Sequence, residues 1–221
     1  MNIGVLGGTG KEGSGLAYRW ALAGHEVVIG SRDAGKASAC AMELNQLPGG
    51  KATVRGASNL EAAQAAVVVL TVPYVAQLAT AESVAAQLIG KILIDVTVPL
   101  VPPKVDRVQL PNGESAVVAL QRRLGAAVKV VSAFQNVSAT HLKDPTHEVD
   151  CDVLVCGDDA EAREVVIGLA HDAGLRAWHA GVLANSIASE ALTSVLIAIN
   201  KRYKIAGSGI RITGVPGNRG V

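Results

Sequence analysis

The residues best suited to chemistry come early, in the run Gly8-Thr9-Gly10-Lys11-Glu12-Gly13. It spells G-x-G-x-x-G between a β-branched apolar stretch and a segment with helical character. In such a turn Gly8 admits a tight bend, Gly10 lets the backbone approach a pyrophosphate, and Gly13 lets the helix pack close to the strand. The helix start at Lys11 and Glu12 offers unpaired N–H groups and the positive end of a dipole to a diphosphate. Thr9 adds a hydroxyl. Glycine-rich turns are common, so the motif gains weight from its setting between a strand and a helix, with a second strand to follow. A dinucleotide is the expected ligand.

The next informative stretch is "VVIGSRDAGK". In a site that prefers NAD, the second strand ends in a carboxylate that grips the ribose 2′-hydroxyl. Here that place falls close to Gly30, which leaves room for a 2′-phosphate instead. Ser31 supplies a hydroxyl donor and Arg32 a guanidinium with bidentate geometry for phosphate oxygens. Lys36 lies one helical turn beyond Arg32. The rival reading makes Asp33 the ribose carboxylate and leaves Arg32 and Lys36 solvated, but Asp33 is better placed as the N-cap of the following helix. NADP is therefore favoured over NAD.

Three strand exits carry residues suited to walls around a reacting ring: Thr71-Val72-Pro73-Tyr74, Asp95-Val96-Thr97-Val98-Pro99 and Ser132-Ala133-Phe134-Gln135-Asn136, with Val137 just beyond. In a doubly wound sheet, ligands bind outside the carboxyl ends of the strands. Thr71, Val72, Pro73 and Ala133 are expected beside the cofactor, and Val98, Pro99, Phe134, Gln135, Asn136 and Val137 beside its reaction partner. Missing is any Ser-x-x-x-Tyr-x-x-x-Lys arrangement or an obvious His–Asp pair near these loops. Of the five histidines, His141 and His179 come nearest, and each reads more readily as structural or exposed. No obligatory acid or base is expected, which favours direct hydride transfer to an acceptor with chemistry of its own.

Short apolar strands alternating with alanine-rich helices must position these residues. Strands are expected at Asn2–Leu6, Glu26–Gly30, Ala52–Arg55, Val67–Leu70, Lys91–Ile94, Lys129–Ser132, Val153–Cys156 and Leu175–Trp178. Helices are expected at Lys11–Ala23, Ala34–Gln46, Asn59–Ala65, Val75–Leu88, Gly113–Leu124, Ala160–Ala173 and about Ala184–Lys201, the second stopped by Pro48-Gly49-Gly50. Continuous apolar strands between helices mean a parallel sheet covered on both faces. The fold class is α/β, a Rossmann-type doubly wound parallel sheet with a small C-terminal α/β extension. Residues 1–149 form the expected NADP-binding domain. Residues 150–221 form a small C-terminal domain that completes the acceptor site and carries a homodimer interface on its late apolar helix.

Composition narrows the class further. The 221 residues are 49% hydrophobic and 18% charged, with a net charge of +1. Near-neutrality leaves no footprint for nucleic acid or a membrane surface. Three cysteines are too few and scattered for a disulfide framework or a zinc site, and no metal is expected. There is no signal-peptide pattern at the start and no apolar run of membrane-spanning length, so the expected location is cytoplasmic.

Taken together, "IGVLGGTGKEGSGLA", "GHEVVIGSRDAGKA", "VVVLTVPY", "KILIDVTVPL", "VSAFQNVSA", "DVLVCGDDAEAREVV", "ANSIASEALTSVLIAIN" and the ending "GSGIRITG" resemble the F420-dependent NADP oxidoreductase family. "GSR" after the second strand and "VCGDD" after the late one are the most specific elements, and the likeness runs through nearly the whole chain. It implies hydride exchange between NADPH and the deazaflavin F420, with the two rings face to face. Thr9, Ser31, Arg32 and Lys36 match the family's 2′-phosphate contacts, and the three loops match its ring-binding walls. The chain departs from archaeal members at Phe134-Gln135-Asn136 and at Ile187, which leaves a flavin, a ferric chelate or an imine open as the acceptor.

Overall fold

The computed structural model describes residues 1–49 and 52–214. Gly50 of the expected stop and the last residues of the C-terminal segment, 215–221, lie outside the described residues. The elements run β1 (Asn2–Leu6), α1 (Lys11–Leu22), β2 (Glu26–Ser31), α2 (Ala34–Asn45), β3 (Val54–Ser58), α3 (Asn59–Ala62), β4 (Val67–Leu70), α4 (Tyr74–Glu82), α5 (Ala85–Leu88), β5 (Ile92–Asp95), α6 (Ala116–Leu124), β6 (Lys129–Ser132), β7 (Asp152–Gly157), α7 (Ala160–Asp172), β8 (Arg176–His179) and α8 (Ser186–Tyr203).

All eight strands belong to one sheet in the order β3-β2-β1-β4-β5-β6-β7-β8. Pairing is parallel from β3 to β6, β7 runs antiparallel to β6, and β8 is again parallel to β7. The chain builds outward from β1 through β2 to β3, then returns to lay β4 on the other side of β1. That reversal opens a crevice at the carboxyl ends of β1 and β4, where doubly wound folds bind ligands.

The period-2 alternation of side chains sorts the strands onto two core layers. Ile3, Val5, Val67 and Val69 join Leu16, Trp20 and Val166 on one face. Leu6, Val68, Leu70 and Leu93 join Leu88, Val117 and Leu120 on the other. Every residue of β4 is buried, as expected of a central strand covered on both sides.

Most boundaries differ from expectation by a few residues, α3 ending at Ala62 where Ala65 is expected, and three differences have a clear local cause. β3 starts at Val54, not Ala52, because the Asn45 side chain brackets Val54: Val54 N donates to Asn45 Oδ1 and Asn45 Nδ2 to Val54 O, both at 2.9 Å. The expected helix Val75–Leu88 is two helices. Ser83 Oγ turns back to the Thr80 carbonyl at 2.7 Å, and the β-branched Val84 leaves helical geometry at φ −125°, ψ 15°. α6 starts at Ala116, because Gly113 lies at φ +72° and Ser115 caps the helix by accepting from Val118 N at 3.1 Å.

Two buried polar clusters tie the periphery to this frame. Arg19 of α1 donates to the carbonyls of Leu142, Ala173, His141, Asp144 and His147, so one guanidinium organises the loop after β6. Asp152 of β7 receives Arg176 through Nε and Nη2 at 2.7 Å each, together with the indole of Trp178 and the backbone N–H of Ile212. That carboxylate anchors the segment after α8.

Candidate functional site

The turn after β1 is built on glycine for distinct reasons. Gly7 takes the left-handed conformation at φ +68°, and its N–H donates to Asn59 Oδ1 at 3.2 Å. The glycine motif alone points to Gly8 for the tight bend, whereas the left-handed residue is Gly7. A Cβ on Gly13 would come within 2.4 Å of Thr71 Oγ1 and 2.8 Å of the Gly8 Cα, so the helix and turn touch only because Gly13 has none. At Gly10, by contrast, a Cβ would meet only the Gly7 carbonyl, at 3.9 Å. Gly10 is also the N-cap of α1 and brings no side chain to its first turn. No side chain caps the N–H groups of that turn, as an anion-binding helix start requires.

Thr9, Ser31 and Arg32 come together around a cavity of about 230 Å³ that also takes in Gly7, Gly10, Asn59 and Thr71 to Pro73. Arg32 is exposed and Ser31 half-buried. Asp33 caps α2 by accepting from Lys36 N at 3.2 Å, so its carboxylate serves the helix. Lys36 lies exposed on the first turn of α2, outside the residues that line this cavity.

A second cavity of about 720 Å³ shares Gly10, Thr71, Val72 and Pro73 with the first, so the two adjoin in one cleft. Its walls are Lys11 and Glu12 from α1, Thr71 to Val75 after β4, Val96 to Val98 and Leu100 after β5, and Gln135, Val137 and Ala139 after β6. Pro102, Val105 and, from α8, Thr193 and Ile197 close the far side. The lining is mostly apolar, with a few polar groups, as small-molecule sites usually are.

Not every expected wall residue reaches the cleft. Phe134 is fully buried at φ +74°, its ring edge-on to Trp20 at 6.0 Å between centroids. Ala133 is fully buried. Asn136 turns inward, donating to the Asp152 carbonyl at 2.7 Å, and Pro99 is buried outside the lining. In their places stand Leu100, Pro102, Ala139, Thr193 and Ile197, which the sequence reading did not single out.

Electrostatics in the cleft are unusual at two carboxyls. Glu12 lines the large cavity, its Oε1 is buried without a partner, and burial pushes its carboxyl from 4.5 up to about 8. At neutral pH Glu12 is therefore chiefly a neutral acid. Asp95, at the end of β5, is wholly buried behind the wall and pushed up to about 6 by burial, against hydrogen bonds from Thr97 and Gln77. It receives Thr97 N at 2.8 Å and so shapes the turn that presents Val96 to Val98.

None of the five histidines lines the cleft. His141 stacks on His147 at 4.0 Å, and His179 bonds Glu164 at 2.9 Å on the surface. His25 bonds Asp172, and His171 sits within α7. The described residues hold no cluster of metal-ligating side chains. One helical stretch, Leu183–Tyr203, is long and apolar enough to cross a membrane by length and composition. Its Ser186, Ser189 and Glu190 are buried against the rest of the protein.

Residues 2–99 match the family described as "NADP oxidoreductase coenzyme F420-dependent". Across nearly the full chain, the protein is 43% identical to the F420-dependent NADP reductase of Methanothermobacter thermautotrophicus, covering 98% of this chain and 96% of that one. The chain belongs to the F420-dependent NADP reductase family. A second relative of that name, from Methanocaldococcus jannaschii, is 42% identical and covers 96% of this chain and 98% of its own. Among solved structures, a candidate F420-dependent NADP reductase from Arthrobacter superposes with a TM-score of 0.80 at 30% identity, covering 96% of this chain and 98% of that one.

Proposed function

We propose that the protein exchanges hydride between NADPH and the deazaflavin coenzyme F420. The observation that carries this reading is the pair of adjoining cavities, which extend from a helix start without a side-chain cap to a mostly apolar chamber with no histidine in its lining. The relatives named above support the choice of ligands.

When bound, NADPH supplies a hydride and F420 accepts it. The chain's own residues have simpler tasks. The first turn of α1 takes the diphosphate on its N–H groups. Arg32, Ser31 and Thr9 hold the 2′-phosphate, with Lys36 able to swing in from α2. Val72, Pro73, Val96 and Val98 exclude water and fix ring orientation, the kind of positioning that supplies much of the acceleration in a direct transfer. No side chain is assigned as an obligatory acid or base.

Residues 150–221 act in this scheme as the part that closes the acceptor side, through Thr193 and Ile197. The assembly is a homodimer formed through α8, which keeps Val195 exposed and Ile187, Leu192 and Ile199 half-exposed. The partner is a small molecule, with neither nucleic acid nor membrane involved, and the location is cytoplasmic. Free thiols at all three cysteines and the near-neutral charge are consistent with both.

The test is anaerobic turnover of NADPH with F420 and, separately, with FMN, with mass measured by light scattering alongside. The reading expects F420 to be reduced with a kcat/KM at least a hundredfold above that for FMN, by a dimer. Equal use of both acceptors, or FMN alone, would replace F420 with a flavin.

A further inference from the structure

Asp95 ends β5 fully buried, at a point where all three strand-exit loops of the cleft are tied together. Its Oδ1 accepts from the backbone N–H of Thr97 at 2.8 Å, and its Oδ2 faces the side-chain amide of Gln77 from α4. The Asp95 carbonyl accepts from Gln135 Nε2 at 2.7 Å, which brings in the loop after β6. Thr97 Oγ1 reaches the Val72 carbonyl after β4 at 3.5 Å. Val96 and Thr97, the next two residues, line the large cavity. The carboxyl therefore lies one layer behind the chamber wall.

What this carboxyl lacks is a cation. Among the described residues, the one charged group acting on it is Glu190 of α8, 1% exposed and of like sign. Around the chamber, α1 contributes Glu12, chiefly neutral, and Lys11, which is exposed. The start of α4 contributes the phenol of Tyr74, and the loop after β6 only the uncharged Gln135 and apolar groups. With donors on both oxygens and a carboxyl that titrates near 6, Asp95 is an anion at neutral pH. A buried anion without a counter-ion is costly, and carboxyls so perturbed gather at functional sites. NADP⁺ carries a fixed positive charge on its nicotinamide ring. NADPH is neutral there until its hydride leaves for the acceptor.

We propose that Asp95 is the counter-charge to the oxidised nicotinamide, acting through the Val96–Val98 wall without touching the ring. It selectively stabilises bound NADP⁺ over bound NADPH and so favours departure of the hydride. The inference rests on the hydride-exchange reading above and adds to it a source of charge stabilisation. A charge fixed in advance where the opposite charge develops needs no reorganisation at the moment of transfer. Burial also protects it from screening by salt.

The test is calorimetric binding of NADP⁺ and of NADPH, each to the wild type and to Asp95→Asn. Asparagine keeps the size of the side chain and an acceptor for Thr97 N, and the Gln77 amide can turn to meet its NH₂ group. Loss of the charge should weaken NADP⁺ binding about fivefold to thirtyfold, the range for one partly screened unit charge across a protein wall. NADPH binding should stay within about twofold. Equal losses for both ligands would make Asp95 a purely structural support and overturn the proposal, as would no loss for either. A second measurement uses the wild type alone: the ratio of NADP⁺ to NADPH affinity should fall about threefold from pH 7.5 to 5.5, as Asp95 takes up a proton. Titration of the phosphates, common to both ligands, cancels in that ratio. In Asp95→Asn the ratio should be flat, which separates Asp95 from Glu190. A flat ratio in the wild type would overturn the proposal even if Asp95→Asn failed to fold. None of these outcomes touches F420 turnover, whereas a wild type that binds neither dinucleotide would refute the functional reading itself.

Discussion

Glu190 of α8 accepts from Ser115 Oγ at 2.5 Å, and through its two oxygens from Ala116 N at 2.9 Å and Val117 N at 3.2 Å. One buried carboxylate thus caps α6 from a distant helix. The same helix carries Thr193 and Ile197 into the cleft, so the cap helps to position these two lining residues. Burial raises the Glu190 carboxyl, and these hydrogen bonds oppose the rise. Glu190→Ala should cost about 3–5 kcal/mol of stability, since it strands three buried donors at once. Chemical denaturation measures this, and a loss under about 1 kcal/mol would show that the network is not needed.

Cofactor choice is predicted to depend on Arg32. Arg32→Ala should raise the KM for NADPH about tenfold to a hundredfold, the equivalent of roughly 1.5–3 kcal/mol for a charge-assisted contact, and leave NADH use nearly unchanged. Steady-state kinetics with both cofactors decide the matter. Equal losses with both would remove Arg32 from the 2′-phosphate site.

The cradle can be filled directly. Nothing but the Gly7 carbonyl lies within 4 Å of a Cβ at Gly10, so Gly10→Val should fold, with an unchanged melting profile. Its side chain would occupy the space reserved for the diphosphate and abolish NADP binding. Calorimetry showing native NADP affinity in the folded variant would contradict the assignment.

Much of this was legible in the sequence because the relevant signals are local. The strands Asn2–Leu6, Val67–Leu70 and Lys129–Ser132 fall where unbroken apolar runs place them. The glycine turn and Ser31-Arg32 sit at fixed offsets from the first two strands, and Asp33 caps α2 as its position suggests. What escaped is non-local. Asn59 reaches the cradle from the start of α3, and Thr193 and Ile197 reach the chamber from the late helix α8, with no spacing to announce them. Phe134 reads as a ring wall because it lies at a strand exit, but its backbone turns left-handed and Trp20 claims its ring for the core.

Glu12 should give the protein a distinctive pH response. Its carboxyl titrates near pH 8 in the folded state and near 4.5 when unfolded. Between those values the folded chain binds the additional proton, so the stabilisation is complete below about pH 4.5 and is lost as pH rises through 8. Glu12→Gln should remove that loss and leave the variant more stable than the wild type at pH 9, by on the order of 2–3 kcal/mol once solvent screening is allowed for. Melting temperatures across pH 5–9 measure it, and parallel curves for the two proteins would refute it.

Direct hydride transfer can be followed by isotope from cofactor to acceptor. NADPH deuterated at the transferred position is mixed anaerobically with F420 and the enzyme in ordinary water, and the reduced deazaflavin is examined by mass spectrometry and proton NMR. Direct transfer leaves one deuterium at the acceptor's reduced carbon, with turnover of His141→Ala and His179→Ala within about tenfold of wild type, below the 10²–10⁴ expected for loss of a general acid or base. Reduced F420 without the label, its hydrogen drawn from water, would contradict direct transfer.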